Sequence, residues 1–301
     1  MSSDVNEALE TTMPNGHGDA FAFVKALAED LSSNKIELPS FPDVVLRIRK
    51  ALADENCTMD QIVRVVGSDP TLAARLIRMS NSAAMRPAGK PITDLRFAIS
   101  RMGHNMVRSV AMSFAMGRMR GKRKLKALEH MLEDEWKHST FVAAVCYVLA
   151  KKRTKLNPDE ALLVGLMHGV GRLYILNKAE DHPFLFEEAE TLDNIMRDWH
   201  SGIGRAILET WEFPEPMVNA INEQGELDRH LEEEQEDQVD LTDVLQGAIV
   251  LAGAFGADAD REASIEDIGA FKRMSLTRED CVAVIGESDE EIRELSKVLG
   301  K

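Results

Sequence analysis

The stretch Ala161-Leu-Leu-Val-Gly-Leu-Met-His168-Gly169-Val-Gly171-Arg-Leu-Tyr-Ile-Leu176 constrains this chain more than any other. Its residues are apolar on nearly every side of a helical wheel. A helix without a polar face has to run through the middle of a domain, with other elements wrapped around it. Asn157-Pro158-Asp159-Glu160, just before it, reads as a helix start. Asn157 can cap, Pro158 suits a first turn where its missing N–H is harmless, and Glu160 can reach back. The stretch is expected to end in a buried histidine, His168, with Gly169 and Gly171 breaking the helix.

The surrounding segments carry the same helical signature. Before the organising stretch, Asp69-Pro70 starts a helix with Leu72, Leu76 and Met79 inward, and Thr58 can cap another running to Val66. Val45, Ile48 and Leu52 make an earlier stripe that opens near Pro42. Thr93 or Asp94 begins a helix that Gly103 closes as a left-handed stop, and a Met- and Ala-rich helix follows from Asn105. A helix near 129–150 places Met131, His138, Val142, Val145 and Leu149 on one stripe, which points His138 inward. A long helix from about Phe184 to Trp211 does the same for His200, between Met196 and Ile203. No alternating strand pattern and no Asn-Gly or Asp-Gly hairpin signal occurs, so the fold class is all-α. The expected division is a mobile tail over 1–18, an N-terminal helical subdomain over 19–120, a second helical subdomain over 121–256 and a C-terminal helical extension over 257–301.

No run of 18 apolar residues exists, and no charged-then-apolar leader opens the chain, which excludes membrane insertion and points to the cytoplasm. The cysteines, Cys57, Cys146 and Cys281, are far apart and suit a reducing compartment rather than a disulfide or zinc framework. The net charge of −15 conceals a division: 34–160 hold 23 Lys/Arg against 13 Asp/Glu, whereas 226–301 hold 8 against 21. Faces of opposite sign that complement one another across the fold explain this division. A nucleic-acid face is disfavoured, because the basic residues are scattered without interleaved aromatics; only Gly121-Lys-Arg-Lys124 and Lys151-Lys-Arg153 are compact. The acidic run from Glu226 to Asp243 reads as a solvated loop.

Three histidines, His138, His168 and His200, project from apolar stripes that can meet. Such a trio suggests a metal that turns bound water into a nucleophile. Hard-cation chemistry also needs a carboxylate, and the expected place for one, directly after His168, holds Gly169; the His200 stripe has no inward acid either.

Leu38-Pro39-x-x-Pro42, Asp69-Pro70-x-Leu72 leading to Asn81-Ser82-Ala83, and Ile92-x-x-Leu95-x-x-Ala98-Ile99-x-x-Met102-Gly103 resemble the hallmarks of the HDOD domain. Ala161-x-x-x-Gly165-Leu166-x-His168-x-x-Gly171 and Trp211-x-Phe213-Pro214 do so as well. The resemblance spans about 35–255. It implies an N-terminal helical subdomain packed on a second one similar to the core of HD-type metal-dependent phosphohydrolases, and a non-catalytic output or interaction module of bacterial signal transduction. In that alignment His168 takes the place of the HD histidine and Gly169 that of its aspartate, while His138 and His200 match flanking histidines. Glu223-Gln224 stand where related sequences often carry a further histidine pair. The implied site is a vestigial pocket of His138, His168, Gly169 and His200, with no catalytic residue, no metal and no cofactor.

Three functions are carried forward. The leading one is a signalling scaffold that binds a regulatory or signalling protein, with a homodimer compatible but not required. The second is a metal-dependent phosphohydrolase acting on a nucleotide or cyclic dinucleotide, and the third a nucleic-acid-associated regulator using the basic half.

Overall fold

A computed structural model describes residues 15–33, 43–54, 56–85, 91–118, 125–186, 189–227, 229, 238–255 and 268–300. Pro39, Pro42, the stretch 121–124 and half of the acidic run lie outside them. Among the described residues every regular element is helical. The N-terminal helices are α1 (Asn15–Ser33), α2 (Asp43–Ala53), α3 (Met59–Gly67), α4 (Pro70–Ser80) and α5 (Leu95–Arg118). Then come α6 (Lys126–Arg153), α7 (Pro158–Met167), α8 (Val170–Ala179), α9 (Ala189–Thr210) and α10 (Glu215–Asn222). The last four are α11 (Leu241–Phe255), α12 (Gly269–Arg273), α13 (Arg278–Glu287) and α14 (Asp289–Gly300).

Local chemistry sets most helix starts. Thr58 and Gln61 form a reciprocal capping box on α3, which satisfies two amides that a helix leaves orphaned. Asp69 accepts from the amides of Thr71 and Leu72 ahead of Pro70, and Asn157 accepts from that of Asp159. Glu160 does not reach back; its carboxylate accepts from Asn105 Nδ2 across the junction with α5, at 3.4 Å. Gly103 (φ 72°) breaks α5 into two helical arms, a backbone conformation that costs glycine nothing. Asn81 closes α4 by exchanging hydrogen bonds with the main chain of Ile92, both at 2.8 Å.

The helix α7 is buried from Ala161 to Met167 and packs most extensively on α6, which itself is wholly buried between Val142 and Ala150 except for a sliver of Tyr147. Two expected boundaries move. The helix expected to follow Asp19 starts earlier, since α1 begins at Asn15. The helix expected from Phe184 is a short 3₁₀ turn (Pro183–Phe186) followed by α9. In addition, α1 packs on the second half of the molecule: Tyr174 Oη donates to Asp30 at 2.8 Å, Lys178 pairs with the same carboxylate, and Phe23 meets the His182 ring edge-on.

The C-terminal helix α14 sits in the seam between the two halves. Ser113 of α5 donates to the Leu299 carbonyl at 2.6 Å, and Trp136 of α6 donates to that of Gly300 at 3.1 Å. Carbonyls of a last helical turn have no partner within their own helix, and here side chains from both halves supply one. Lys151, Lys152 and Arg153 are not a separate basic patch. They close α6 and pair with Glu291, Glu287 and Asp280 of the acidic C-terminal helices.

Candidate functional site

The site lies at the turn between α7 and α8. His168 follows the last residue of α7 and is 4% exposed. Its Nδ1 lies 2.6 Å from the Gly165 carbonyl, and a carbonyl only accepts, so Nδ1 carries the proton and Nε2 is left as a lone pair. Burial, reinforced by the neighbouring His138, holds the His168 imidazole well below its ordinary pKa and therefore neutral. His200 adopts the same tautomer. It donates from Nδ1 to the Met196 carbonyl at 2.8 Å, its Nε2 lies 3.3 Å from the Ser201 hydroxyl, and burial followed by the Arg172 charge lowers its pKa.

His138 departs from the inward placement expected of it. Its side chain is exposed, and its ring stands edge-on to that of His168 with centroids 5.4 Å apart. The reason is a misplaced stripe. The buried face of the first half of α6 runs through Leu128, Leu132, Trp136 and Ser139, and His138 lies off it. The helix becomes buried on most sides only beyond that point, so the Val142–Val145–Leu149 stripe does not extend back to His138.

A second correction concerns the carboxylate. The sequence places no acid at the histidines, yet Glu135 is there. It lies on the buried face of α6, four residues before Ser139, with a side chain only 10% exposed. A Cβ at position 169 would overlap both Glu135 Oε1 and Ser139 Oγ. Gly169 therefore provides the space that Glu135 fills, and a side chain at 169 cannot coexist with this placement of Glu135. Burial raises the Glu135 carboxyl to a pKa of about 7, against the opposing pull of the Arg172 guanidinium and the Ser139 hydroxyl. Arg172 Nη1 lies 3.8 Å from Glu135 Oε2. Oε1 and Ser139 Oγ, both buried, lack a hydrogen-bond partner of good geometry. The Ser139 hydroxyl still lies close enough to lower the carboxyl pKa.

Gly171 does not break the helix. It lies inside α8, where a Cβ would overlap the main-chain carbonyl of His200, so the glycine permits the close contact that brings His200 to the site. Gln224 closes the opposite side, buried and donating to the carbonyls of Ile221 at 2.9 Å and His168 at 3.3 Å. Glu223 turns away and pairs with Arg229 at 3.0 Å. Among the other residues singled out by sequence, Asp69, Pro70, Asn81 and Gly103 shape the N-terminal half, and Pro214 caps α10. A cavity of about 460 Å³ opens away from the histidines, beside Gly103, Asn105 and Asp159.

The donor set does not fit a hydrolytic metal. Among the described residues no three His, Cys, Asp or Glu side chains are disposed to hold an ion. The one carboxylate at the histidines faces a guanidinium, which would repel a dication.

Among the described residues the elements are all helical, and His138 and His200 approach His168 at the turn that ends the buried helix α7. The sequence profile of the HDOD domain matches residues 38–227, and the chain belongs to the HDOD family. An uncharacterized protein of Treponema pallidum (strain Nichols) is 24% identical over 209 residues, and the match covers 65% of this chain but only 39% of that relative. Among solved structures, a proposed metal-dependent phosphohydrolase from Shewanella amazonensis SB2B superposes with a TM-score of 0.73 at 24% identity, covering 94% of this chain and 99% of its own. A proposed signal transduction protein from Marinobacter aquaeolei VT8 gives 0.65 at 20% identity, covering 96% of this chain and 67% of its own. At such identities the likeness is one of fold.

Proposed function

We propose that this chain is a signal-transduction module that acts by binding a regulatory protein in the cytoplasm, without metal, cofactor or turnover. The observation that carries this reading is the pairing of Glu135 with Arg172 beside Gly169. The position after His168 offers no oxygen to bridge a metal, and the carboxylate that replaces it already faces a cation. Membership of the HDOD family and the fold shared with the Marinobacter protein agree with a signalling role. A phosphohydrolase reading draws on the Shewanella neighbour and on the Glu135 pKa near 7, a value suited to acid–base work. One assay decides between them. Phosphate release from nucleotides and cyclic dinucleotides is measured with and without Mn²⁺, Mg²⁺ or Zn²⁺, for the wild type and His168→Ala. We expect no release above the His168→Ala background. Metal-dependent release that disappears in His168→Ala would sink the module reading.

A further inference from the structure

The cavity of about 460 Å³ lies where the two halves of the molecule join, a common place for a ligand site. Met59 of α3 and Ile99 of α5 give it apolar walls. Gly103 and Asn105 line it at the kink of α5, and Asp159 lines it at the start of α7. Ser100 and His104, both exposed, complete the lining. Among the described residues this lining holds one carboxylate and no Lys or Arg, although the region 34–160 carries 23 basic against 13 acidic side chains.

That carboxylate is uncompensated. The Asp159 amide donates to Asn157 Oδ1 at 2.9 Å and its carbonyl accepts from Ser109 at 3.4 Å, yet no described residue donates to its side chain. Burial, and then the neighbouring Glu160, hold the Asp159 carboxyl above its ordinary pKa. A half-buried negative charge with no partner favours a positive guest. A dication is not that guest, because among the described residues no three His, Cys, Asp or Glu side chains are disposed to hold one.

We propose that this cavity binds a small organic cation, whose N–H groups meet the Asp159 carboxylate while its apolar stem lies against Met59 and Ile99. A guanidinium fits best, since its planar fork matches the two oxygens of a carboxylate. The inference goes beyond the interaction-module reading and stands without it. Such a guest touches α3, α5 and α7 together, which gives the junction of the two halves a chemical input.

The test uses the full chain and two probes of one shape: butylguanidinium, which is charged, and butylurea, which is not. Each is titrated by NMR against the wild type, Asp159→Asn and Ser100→Trp, with circular dichroism confirming every fold. Asp159→Asn removes the charge at nearly constant shape and spares the helix cap, which uses the main-chain amide of that residue. Ser100→Trp fills the cavity from an exposed position. The wild type should bind one butylguanidinium with a Kd below about 1 mM, at least about tenfold tighter than butylurea. Each variant should weaken this binding by at least about tenfold. Absence of saturable binding by the wild type overturns the inference, as does butylurea binding within tenfold of butylguanidinium. A folded variant that binds within tenfold of the wild type overturns it too. If Asp159→Asn does not fold, Ser100→Trp and the pair of probes decide.

Discussion

Between pH 4.5 and about 7 the folded protein holds a proton on Glu135 that the unfolded chain has already released. The stability this contributes is complete below pH 4.5 and is lost as the pH climbs to 7, by up to about 3 kcal/mol for a shift of this size. His168 acts in the opposite sense. Its folded pKa is depressed, so its contribution is present above pH 6.5 and is lost as the pH falls below that value. Glu135→Gln keeps the shape and removes the titration. Its melting temperature should gain on the wild type as the pH rises from 4.5 to 7 and hold that gain above. Thermal melts across this range check the slope; an offset that does not change with pH would refute the assignment. Glu135 was also the residue hardest to see in the sequence. It stands in Glu133-Asp134-Glu135, which reads as a solvated run. The signal was its place among Leu128, Leu132 and Trp136, seven residues after the first and three after the second, on the stripe that is buried.

The helical elements were legible wherever a cap or a glycine fixed them. Thr58, Asp69, Asn157 and Gly103 act locally, and their chemistry depends only on close neighbours in the chain. The buried charges were not legible, because their partners are brought together by the fold. Asp243 is the clearest case. Read as the end of a solvated acidic loop, it is instead in the first turn of α11 and fully buried. Its carboxylate accepts from Arg273 at 2.6 and 2.9 Å, from Arg229 at 3.2 Å and from the Asp240 amide at 3.1 Å, while its own amide donates to the Asp240 carboxylate at 2.9 Å. Removing one member of such a buried network leaves the others uncompensated, so Asp243→Ala should cost about 3–5 kcal/mol. Urea denaturation measures this directly. A loss below about 1 kcal/mol would mean that solvent screens the pair as it screens surface ion pairs.

At the scale of the molecule, α14 adds to the direct contacts between the two halves, among them Asn105 with Glu160 and Asp30 with Tyr174. The family match ends at residue 227, while α11 to α14 lie beyond it, so the element at the seam is one that the family pattern does not describe. The opposite charges of the two regions and their complementarity across the fold were legible in the sequence; which residues pair, Lys151, Lys152 and Arg153 with Glu291, Glu287 and Asp280, required the fold. Removing α14 by a stop after Ser288 should lower the melting temperature by at least about 10 °C, because it uncovers Ser113, Trp136 and the apolar face that buries Ile292, Leu295 and Leu299. Calorimetry of the shortened chain tests this, and an unchanged transition would show that α14 is a surface appendage. A seam fastened in this way also bears on association. Under the interaction role proposed above, a partner docking at the seam would spend little entropy on ordering it, because side chains from both halves already hold α14. Its rate of encounter then follows the charge pattern of the surface and falls as salt is added.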